Sequence, residues 1–223
     1  MDHVLQQLRI AINPRTFVKD PQSSELGKRI VEHGIAMISE IGFEQFNFRK
    51  LGERIGSNES SIYRYFENKH MFLMYITSWY WGWLEYRLVL TTFSISGPKE
   101  KLEAAIEVLT RPVEVDTTFA HVNEVALNRI VVNEYSKAFL TKEVDKENKE
   151  GYFKVYKRLV ARLGDMIGEV KKDYPYAKSL ASAILEGSHH QYFLKEHFPS
   201  LTDCSESGKH ADFFKHLVFA TLA

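Results

Sequence analysis

The amino-acid sequence predicts an all-α protein, and three observations support this fold class. Apolar residues recur at helical spacing along most of the 223-residue chain. Glycine, proline and small polar residues separate these periodic segments, as expected at helix ends. No stretch alternates apolar and polar residues for long, and no internal repeat of about 20 to 50 residues is visible. The chain is therefore expected to fold as a set of packed helices.

The first clear helix is predicted over residues 24–42. Ser23 or Ser24 can cap its N-terminus, because a hydroxyl can accept from the free N–H groups of the first turn. The apolar stripe that follows consists of Ile30, Gly34, Met37 and Ile41. Gly42 stands where a left-handed C-cap is expected, so both ends of this helix are marked.

Two short helices and one long helix are predicted next. Asn47 caps the first short helix, which ends at Gly56, and Asn58 caps the second. Asn68 precedes the long helix. Since that helix is apolar on almost all sides, we expect it to be buried.

Beyond Gly97-Pro98 the pattern remains helical. Further helices are predicted over residues 99–110, 119–139, 151–172, 176–196 and 209–221. The charged run at residues 141–151 is interpreted as a solvated loop or a helix end.

Composition says little about partners. The formal net charge is zero, with 29 basic and 29 acidic residues. The single cysteine, Cys204, excludes an internal disulfide and is typical of a reducing compartment. The longest apolar run, residues 71–84, is shorter than the roughly 20 residues of a membrane span. Because the N-terminus also lacks the apolar core of a secretory signal, we expect a cytoplasmic protein with no membrane association.

Two short helices joined by a tight turn at Gly56, with a longer helix in front, describe a helix-turn-helix unit. In such a unit the second short helix enters the major groove of DNA and the first crosses the backbone. Ile62 and Phe66 have the spacing that anchors the second helix to a core. Its opposite face is then left to polar side chains that can meet phosphates and base edges.

The stretch GFEQFNFRKLGERIGSNESSIYRYFENKHMFL resembles the N-terminal domain of the TetR (tetracycline repressor) family of bacterial transcription regulators. The resemblance covers about residues 24–75, and its motifs are Gly42-Phe43, Arg49-Lys50-Leu51, the Gly56 turn, Tyr63-Arg64-Tyr65-Phe66 and Asn68-Lys69. It implies an N-terminal arm at residues 1–22 and a three-helix helix-turn-helix DNA-binding domain at residues 23–70. A larger helical domain at residues 71–223 would bind a small-molecule effector and dimerise. The implied function is a ligand-responsive regulator, most often a repressor, that binds palindromic operator DNA as a homodimer.

The same resemblance implies DNA contacts position by position. Residues expected at phosphates are Asn47, Tyr63, Tyr65 and Lys69, and Arg49 is expected to reach a base. The start of the reading helix consists of Glu59, Ser60 and Ser61. Arg64 is placed for either a base or a phosphate.

Glu59 departs from the family pattern, because many relatives carry a non-acidic residue there. A carboxylate repels phosphate, yet it can accept a hydrogen bond from cytosine N4. Alternatively, Glu59 only stabilises the N-terminus of its helix. Both interpretations stay open.

The predicted DNA-binding domain carries no excess of positive charge. Residues 24–70 contain seven basic and seven acidic side chains, whereas DNA-binding domains usually present a basic surface. The leading arm is expected to be loosely held, and its basic residues are Arg9, Arg15 and Lys19. We therefore predict that removal of residues 1–20 weakens DNA binding and flattens its salt dependence.

Aromatic residues crowd the long helix, which suggests one wall of an apolar effector pocket. The residues assigned to this pocket are Trp79, Trp83, Tyr86, Phe119, His121, Asn123 and Tyr135. Simple core packing explains the crowding equally well, so this alternative stays open.

Dimerisation is predicted through helix 176–196 and a neighbour, either helix 151–172 or the terminal helix. Small residues permit close approach of two helices, and a twofold bundle would bury their apolar stripes. The predicted interface residues are Ala181, Ile184, Leu185, Ser188 and Tyr192.

Catalytic and metal-binding patterns do not stand out. The sequence lacks G-x-S-x-G, H-E-x-x-H, a phosphate-binding loop and a Rossmann fingerprint. We therefore predict no enzyme, no cofactor and no metal site. Two classes of function remain: a ligand-responsive transcription regulator, or a helical small-molecule-binding protein on the same scaffold whose DNA-binding heads are weak or unused.

Overall fold

The computed structural model describes residues 9–116, 118–119, 121–206 and 208–223. This part of the chain is helical throughout, with eleven α-helices, three short 3-10 helices and no β-strand. The predicted all-α class is therefore confirmed. The first eight residues of the predicted arm lie outside the described residues.

The helices are numbered α1 to α11 in chain order. They are α1 (Glu25–Gln45), α2 (Phe48–Arg54), α3 (Glu59–Tyr63), α4 (Lys69–Thr92), α5 (Pro98–Thr110), α6 (Glu124–Asn133), α7 (Tyr135–Phe139), α8 (Val144–Glu150), α9 (Lys154–Val170), α10 (Ala177–His197) and α11 (Lys209–Leu222). The 3-10 helices are Pro14–Thr16, Pro21–Ser23 and Pro199–Leu201.

Packing divides the chain into two compact units. The first contains residues up to 82 together with 113–154, and the second contains 83–112 together with 155–223. These boundaries differ from those of the predicted domains, because residues 113–154 pack with the N-terminal helices: α6 lies against α1. The functional domains at 23–70 and 71–223 remain a prediction.

The N-terminal helices begin where the sequence supplies polar caps. Ser24 Oγ accepts the N–H three residues further on at 3.2 Å, and the Oδ1 atoms of Asn47 and Asn68 do the same at 2.9 Å. These bonds satisfy N–H groups that the first turn of a helix leaves free. The predicted caps are confirmed, with Ser24 rather than Ser23 at the start of α1.

Helix α1 continues beyond its predicted end. Gly42 has φ 76° and ψ 158°, which breaks the helical geometry, and the chain then forms one more turn to Gln45. Glycine adopts a positive φ without a steric penalty. The predicted stop is therefore a kink inside α1.

Helix α4 is buried along most of its length, as predicted. All residues from 72 to 85 are buried. Near its start, the Phe72 ring lies 5.4 Å from Phe46 and 5.0 Å from Phe66, measured between centroids. This aromatic cluster supports the two short helices that precede α4. None of the helices within the described ranges is long and apolar enough to cross a membrane.

Two predicted segments fold differently from expectation. Residues 119–139 form two helices, and α6 begins only after the Asn123 side chain accepts the N–H of Ala126 at 2.9 Å. The charged run at 141–151 contains α8 and buries Glu147, whose Oε1 lies 2.6 Å from His70 Nε2. Because His70 is 77 positions away in the sequence, local charge density gave no sign of this burial.

The described part of the arm is packed against the first unit, so the prediction of a loosely held arm is wrong. The N–H of Val18 donates to the carbonyl of Tyr65 at 2.8 Å. The side chain of Asn13 donates to the carbonyl of Glu150 at 3.0 Å. Removing the arm would disturb the fold as well as the charge, so its predicted effect on DNA binding is better tested by substituting its exposed basic side chains.

Candidate nucleic-acid interface

Helices α2 and α3 form the predicted pair of short helices around a tight turn. Gly56 in the turn has φ +62°, a conformation that glycine adopts without strain. The N–H of Ser57 donates to the carbonyl of Gly52 at 2.9 Å and closes the turn. Ile62 is fully buried, so its side of α3 is anchored and the polar side is left to solvent.

Asn58 organises the start of α3. Its Oδ1 accepts three hydrogen bonds, from the N–H of Ser61 at 2.8 Å, from Ser60 Oγ at 2.8 Å and from Ser61 Oγ at 2.6 Å. With their protons given to Asn58, the two hydroxyls offer lone pairs to any further partner. Lone pairs suit the amino groups of adenine and cytosine better than phosphate oxygens, which are acceptors themselves.

Tyr63 is held in place on the exposed side of α3. Its ring packs edge-on against Phe48, with centroids 5.1 Å apart, and its hydroxyl donates to Glu59 Oε1 at 3.3 Å. Desolvation and the nearby charge of Glu59 raise the pKa of Tyr63, which keeps the phenol neutral. Glu59 therefore has a structural partner in addition to the two roles considered from the sequence.

Besides Arg54, three basic residues are exposed on α2 and at the end of α3. Arg49 Nε lies 3.3 Å from Glu53 in an exposed pair, which is weak and exchanges easily. Lys50, which the sequence analysis did not assign to DNA, donates to the carbonyl of Gln45 at 2.9 Å. Within the described residues the Arg64 guanidinium has no hydrogen bond or ion pair, so it can bind a phosphate or a base without first losing a partner.

Other basic residues of this region support the fold. Arg29 Nη2 donates to the carbonyl of Ile55, at the C-terminal end of α2, at 2.5 Å. Arg54 forms a two-pronged pair with Glu40 at 2.6 and 2.8 Å. The sequence contains equal numbers of basic and acidic residues in this region, but they do not all have the same role. Some face solvent on α2 and α3, and others hold the helices together.

Tyr65 is buried, and Lys69 is half-buried with its ammonium group bonded within the first unit, so their positions do not support the predicted phosphate contacts. Tyr65 is 4% exposed, and its hydroxyl shares a hydrogen bond with Ser24 Oγ at 2.7 Å. Lys69 Nζ lies 3.2 to 3.4 Å from three carbonyl oxygens at the end of α1. A cation there stabilises the C-terminus of α1, so no phosphate is needed to explain it.

The other predicted DNA contacts lie on the solvent side of α2 and α3. We call them, together with Lys50, the reading surface: Asn47, Arg49, Lys50, Glu59, Ser60, Ser61, Tyr63 and Arg64. Asn47 Oδ1 caps α2, which leaves the amide N–H groups of this exposed side chain pointing to solvent as donors.

The residues predicted to line an effector pocket are divided between the two units. The first unit holds Trp79, Phe119, His121, Asn123 and Tyr135, and the second holds Trp83 and Tyr86. The rings of Trp79 and Phe119 meet edge-on at 5.2 Å. Asn123 is exposed and caps α6, so it does not line an interior wall. Tyr135 stacks on Phe139 with centroids 4.9 Å apart.

Trp79 is the member of this set whose surroundings most favour a ligand. It is 1% exposed, and its indole N–H has no hydrogen-bond partner among the described residues. Buried donors normally have one. His121 is half-buried, and burial lowers its pKa, so it is neutral near pH 7. In the second unit, the Arg87 guanidinium lies 5.2 Å from the ring of Trp83, which is buried.

The residues predicted at a dimer interface are used within a single chain. Those at most 1% exposed are Ala181, Ile184, Leu185 and Ser188. The Tyr192 hydroxyl donates to the carbonyl of Thr110 at 2.9 Å, and its ring stacks on His210 at 4.0 Å. This face of α10 packs against α5 and α11 within one chain. The small residues on it therefore have a role in intrachain helix packing, and their place at a dimer interface remains a prediction.

Comparison with known sequences gives one family match. Residues 30–73 match the family described as bacterial regulatory proteins, tetR family. This range covers α1 from residue 30 to its end, the reading surface and the start of α4. No curated protein is significantly similar to the chain in sequence.

Several solved structures share the fold. The crystal structure of AibR in complex with isovaleryl coenzyme A and operator DNA is 16% identical, with a TM-score of 0.60 over 86% of this chain and 98% of that one. The fatty acid degradation regulator FadR from Bacillus halodurans is 16% identical, with a TM-score of 0.59 over 85% and 92% of the two chains. The ketosteroid transcriptional regulator KstR2 of Mycobacterium tuberculosis is 14% identical, with a TM-score of 0.54 over 96% and 97%. At such identities the likeness concerns the fold.

Proposed function

We propose that this chain, whose residues 30–73 match the TetR family of bacterial regulatory proteins, is a ligand-responsive repressor that binds a palindromic operator as a homodimer. The observation that carries this proposal is the reading surface. Its polar side chains stand on a short helix whose other side is anchored by a buried isoleucine, as a groove-reading helix requires. With DNA as its partner, the protein is assigned to the cytoplasm.

We assign the reading surface two kinds of contact. Asn47, Tyr63 and Arg64 provide exposed N–H and O–H donors that suit phosphate oxygens and fix the position of the head on the duplex. Ser60 and Ser61 present lone pairs at the start of α3, which suits amino groups on base edges. This division predicts that side chains at the start of α3 determine which base sequence is preferred. Those at its end contribute affinity for DNA of any sequence.

The homodimer is proposed to form through an apolar surface of the second unit. Phe213 and Leu217 lie one turn apart on α11 and are 42% and 39% exposed. Phe198 and Leu201, just after α10, are 50% and 66% exposed. Clusters of large exposed apolar side chains mark interaction surfaces. A twofold dimer would bury them and would present two reading heads to one palindrome.

The effector is proposed to be a small molecule with an apolar body and a hydrogen-bond acceptor. The apolar body suits the buried rings of Trp79 and Phe119. The acceptor suits the indole N–H of Trp79, whose burial without a partner among the described residues has a free-energy cost. Acyl thioesters and steroid ketones have this character, and AibR, which shares the fold, binds isovaleryl coenzyme A.

A gel-shift assay with DNA from upstream of the protein's own gene tests the proposal. We expect specific retention that survives competitor DNA, and release of the probe by an effector of the stated kind, with isovaleryl coenzyme A as the first compound tried. Trp79→Phe keeps the ring and removes the donor, so it should weaken effector-induced release while leaving DNA binding intact. Absence of retention at low salt would instead favour a small-molecule-binding protein with unused heads.

A further inference from the structure

The kink at Gly42 leaves a short helical turn, residues 43–46, between the body of α1 and the helix-turn-helix. The first N–H of this turn is that of Phe43, and it donates to a side chain. Its acceptor is Glu134 Oε1, at 3.0 Å, which comes from the junction between α6 and α7. A carboxylate on the first N–H of a turn is an N-cap, supplied here by a distant element.

The other end of the same turn is capped by a cation. Lys69 Nζ lies 3.2 Å from the carbonyl oxygen of Phe43, 3.3 Å from that of Glu44 and 3.4 Å from that of Phe46. It also lies 4.7 Å from the centroid of the Phe43 ring. Negative charge at the first N–H and positive charge at the last carbonyls both stabilise a helical turn.

A second cation holds the carboxylate in place. Lys137 Nζ lies 2.8 Å from Glu134 Oε2 and 3.0 Å from Glu44 Oε1. The side chain of Glu134 is only 13% exposed, so water competes little for its two bonds. Burial lowers the pKa of Lys137, but its bonds to the two carboxylates outweigh this effect and raise it, so the cation stays charged.

We propose that Glu134 is a positioning residue for DNA binding: by capping the turn at 43–46, it sets the direction in which α2 leaves α1. The turn ends next to Asn47, the cap of α2 and a member of the reading surface. This inference rests on the proposed function. If the turn is loosened, only part of the population presents the reading surface correctly, and the apparent dissociation constant rises in inverse proportion to that part.

Three substitutions separate the cap from the ion pair. Glu134→Ala removes both, Glu134→Gln keeps an acceptor for the Phe43 N–H but loses the charge, and Lys137→Met removes only the pair. We expect Glu134→Ala to weaken operator binding about tenfold, equivalent to about 1.4 kcal/mol. Glu134→Gln and Lys137→Met should each change operator affinity less than about threefold. Hydrogen exchange of the Phe43 amide should quicken in Glu134→Ala and stay slow in Glu134→Gln.

Glu169→Gln is the matched control, since it removes a pair at 3.1 Å with Lys101 in the second unit and should leave affinity unchanged. Should Glu134→Ala fail to fold, Glu134→Asp, which retracts the carboxylate by one methylene group, replaces it. Unchanged binding and unchanged exchange in these variants would overturn the inference, as would equal loss in Glu134→Ala and Glu134→Gln. If the wild-type protein binds no operator, the proposed function fails, and the exchange measurement still decides whether the cap exists.

Discussion

Neighbouring residues at the end of α3 have opposite environments. Arg64 is exposed and has no partner within the described residues, whereas Tyr65 is buried and bonded to Ser24. The family resemblance marks both as DNA contacts, since they belong to one motif. The structure separates them because adjacent side chains on a helical turn point in directions about 100° apart. Only the outward one, Arg64, is therefore proposed as a DNA contact.

At this scale we predict different effects for two substitutions. Arg64→Ala should weaken binding about equally to all DNA sequences, reduce the salt slope of affinity by about 1, as expected for a lost phosphate contact, and leave the melting temperature unchanged. Tyr65→Phe should keep operator affinity within about twofold and lower the free energy of unfolding by about 1 kcal/mol, the value of a hydrogen bond. Fluorescence anisotropy with labelled operator and urea unfolding measure the two effects. Loss of affinity in Tyr65→Phe at constant stability would contradict the assignment.

At the scale of elements, α10 and α11 pack through two buried histidines. His189 is 7% exposed and His210 is 2% exposed, and His210 Nε2 lies 3.0 Å from Ser188 Oγ. Burial, together with the nearby His210, lowers the pKa of His189 to about 4. Burial, together with Lys195, lowers the pKa of His210 to about 4 as well. Both histidines are therefore neutral in the folded protein near pH 7.

These pKa values predict that the free energy of unfolding decreases in mild acid. Unfolded histidines take up protons near their ordinary pKa of 6.5, whereas the folded ones do so only near 4. Protonation therefore favours the unfolded chain, and stability present above pH 6.5 is lost as the pH falls towards 4. We expect a loss of on the order of 2 kcal/mol per histidine by about pH 5.

Urea unfolding at pH 7.5 and at about pH 5 measures this loss. His210→Gln should lose its part of the pH dependence, because glutamine does not titrate. The matched control is His190→Gln on the exposed side of α10, which should behave as the wild type does. Equal pH dependence in His210→Gln and the wild type would exclude His210 as the cause.

At the scale of the whole molecule, two reading heads on one operator require a dimer. The inward face of α10 is occupied within each chain, which leaves the exposed apolar residues of α11 and of the segment after α10 for a second subunit. Joining two weak heads raises their combined affinity by about 10² to 10⁴. The proposed dimer would therefore also compensate for the lack of excess positive charge on each head.

We predict that charge on this surface abolishes the dimer. The double variant Phe213→Glu/Leu217→Glu should sediment as a monomer, because dimerisation would bury two unpaired carboxylates. Its operator affinity should fall about 100-fold or more as the paired contact is lost. Phe93→Glu is the matched control, since Phe93 is 87% exposed elsewhere in the second unit and should tolerate a charge. Dissociation of the dimer by Phe93→Glu alone would place the interface there instead.

Local sequence patterns are sufficient to predict the helical class, the caps Asn47, Asn58 and Asn68, and the pair of short helices around Gly56. They leave the cap of α1 open between Ser23 and Ser24. These features depend on spacing and on hydrogen bonds within a few residues, so a linear pattern contains all the necessary information. The family resemblance predicted every residue of the reading surface except Lys50 for the same reason, because its motif is contiguous.

The buried face of each element, and the distant group that it meets, depend on the three-dimensional fold. Tyr65 turns inwards, Lys69 donates to a carbonyl near the end of α1, the small residues of α10 pack within one chain, and Glu147 is buried in a run of charges. Glu134 caps a turn 91 positions away from it. Burial and pairing of this kind depend on contacts between residues far apart in the chain, and no local pattern of spacing or charge specifies them.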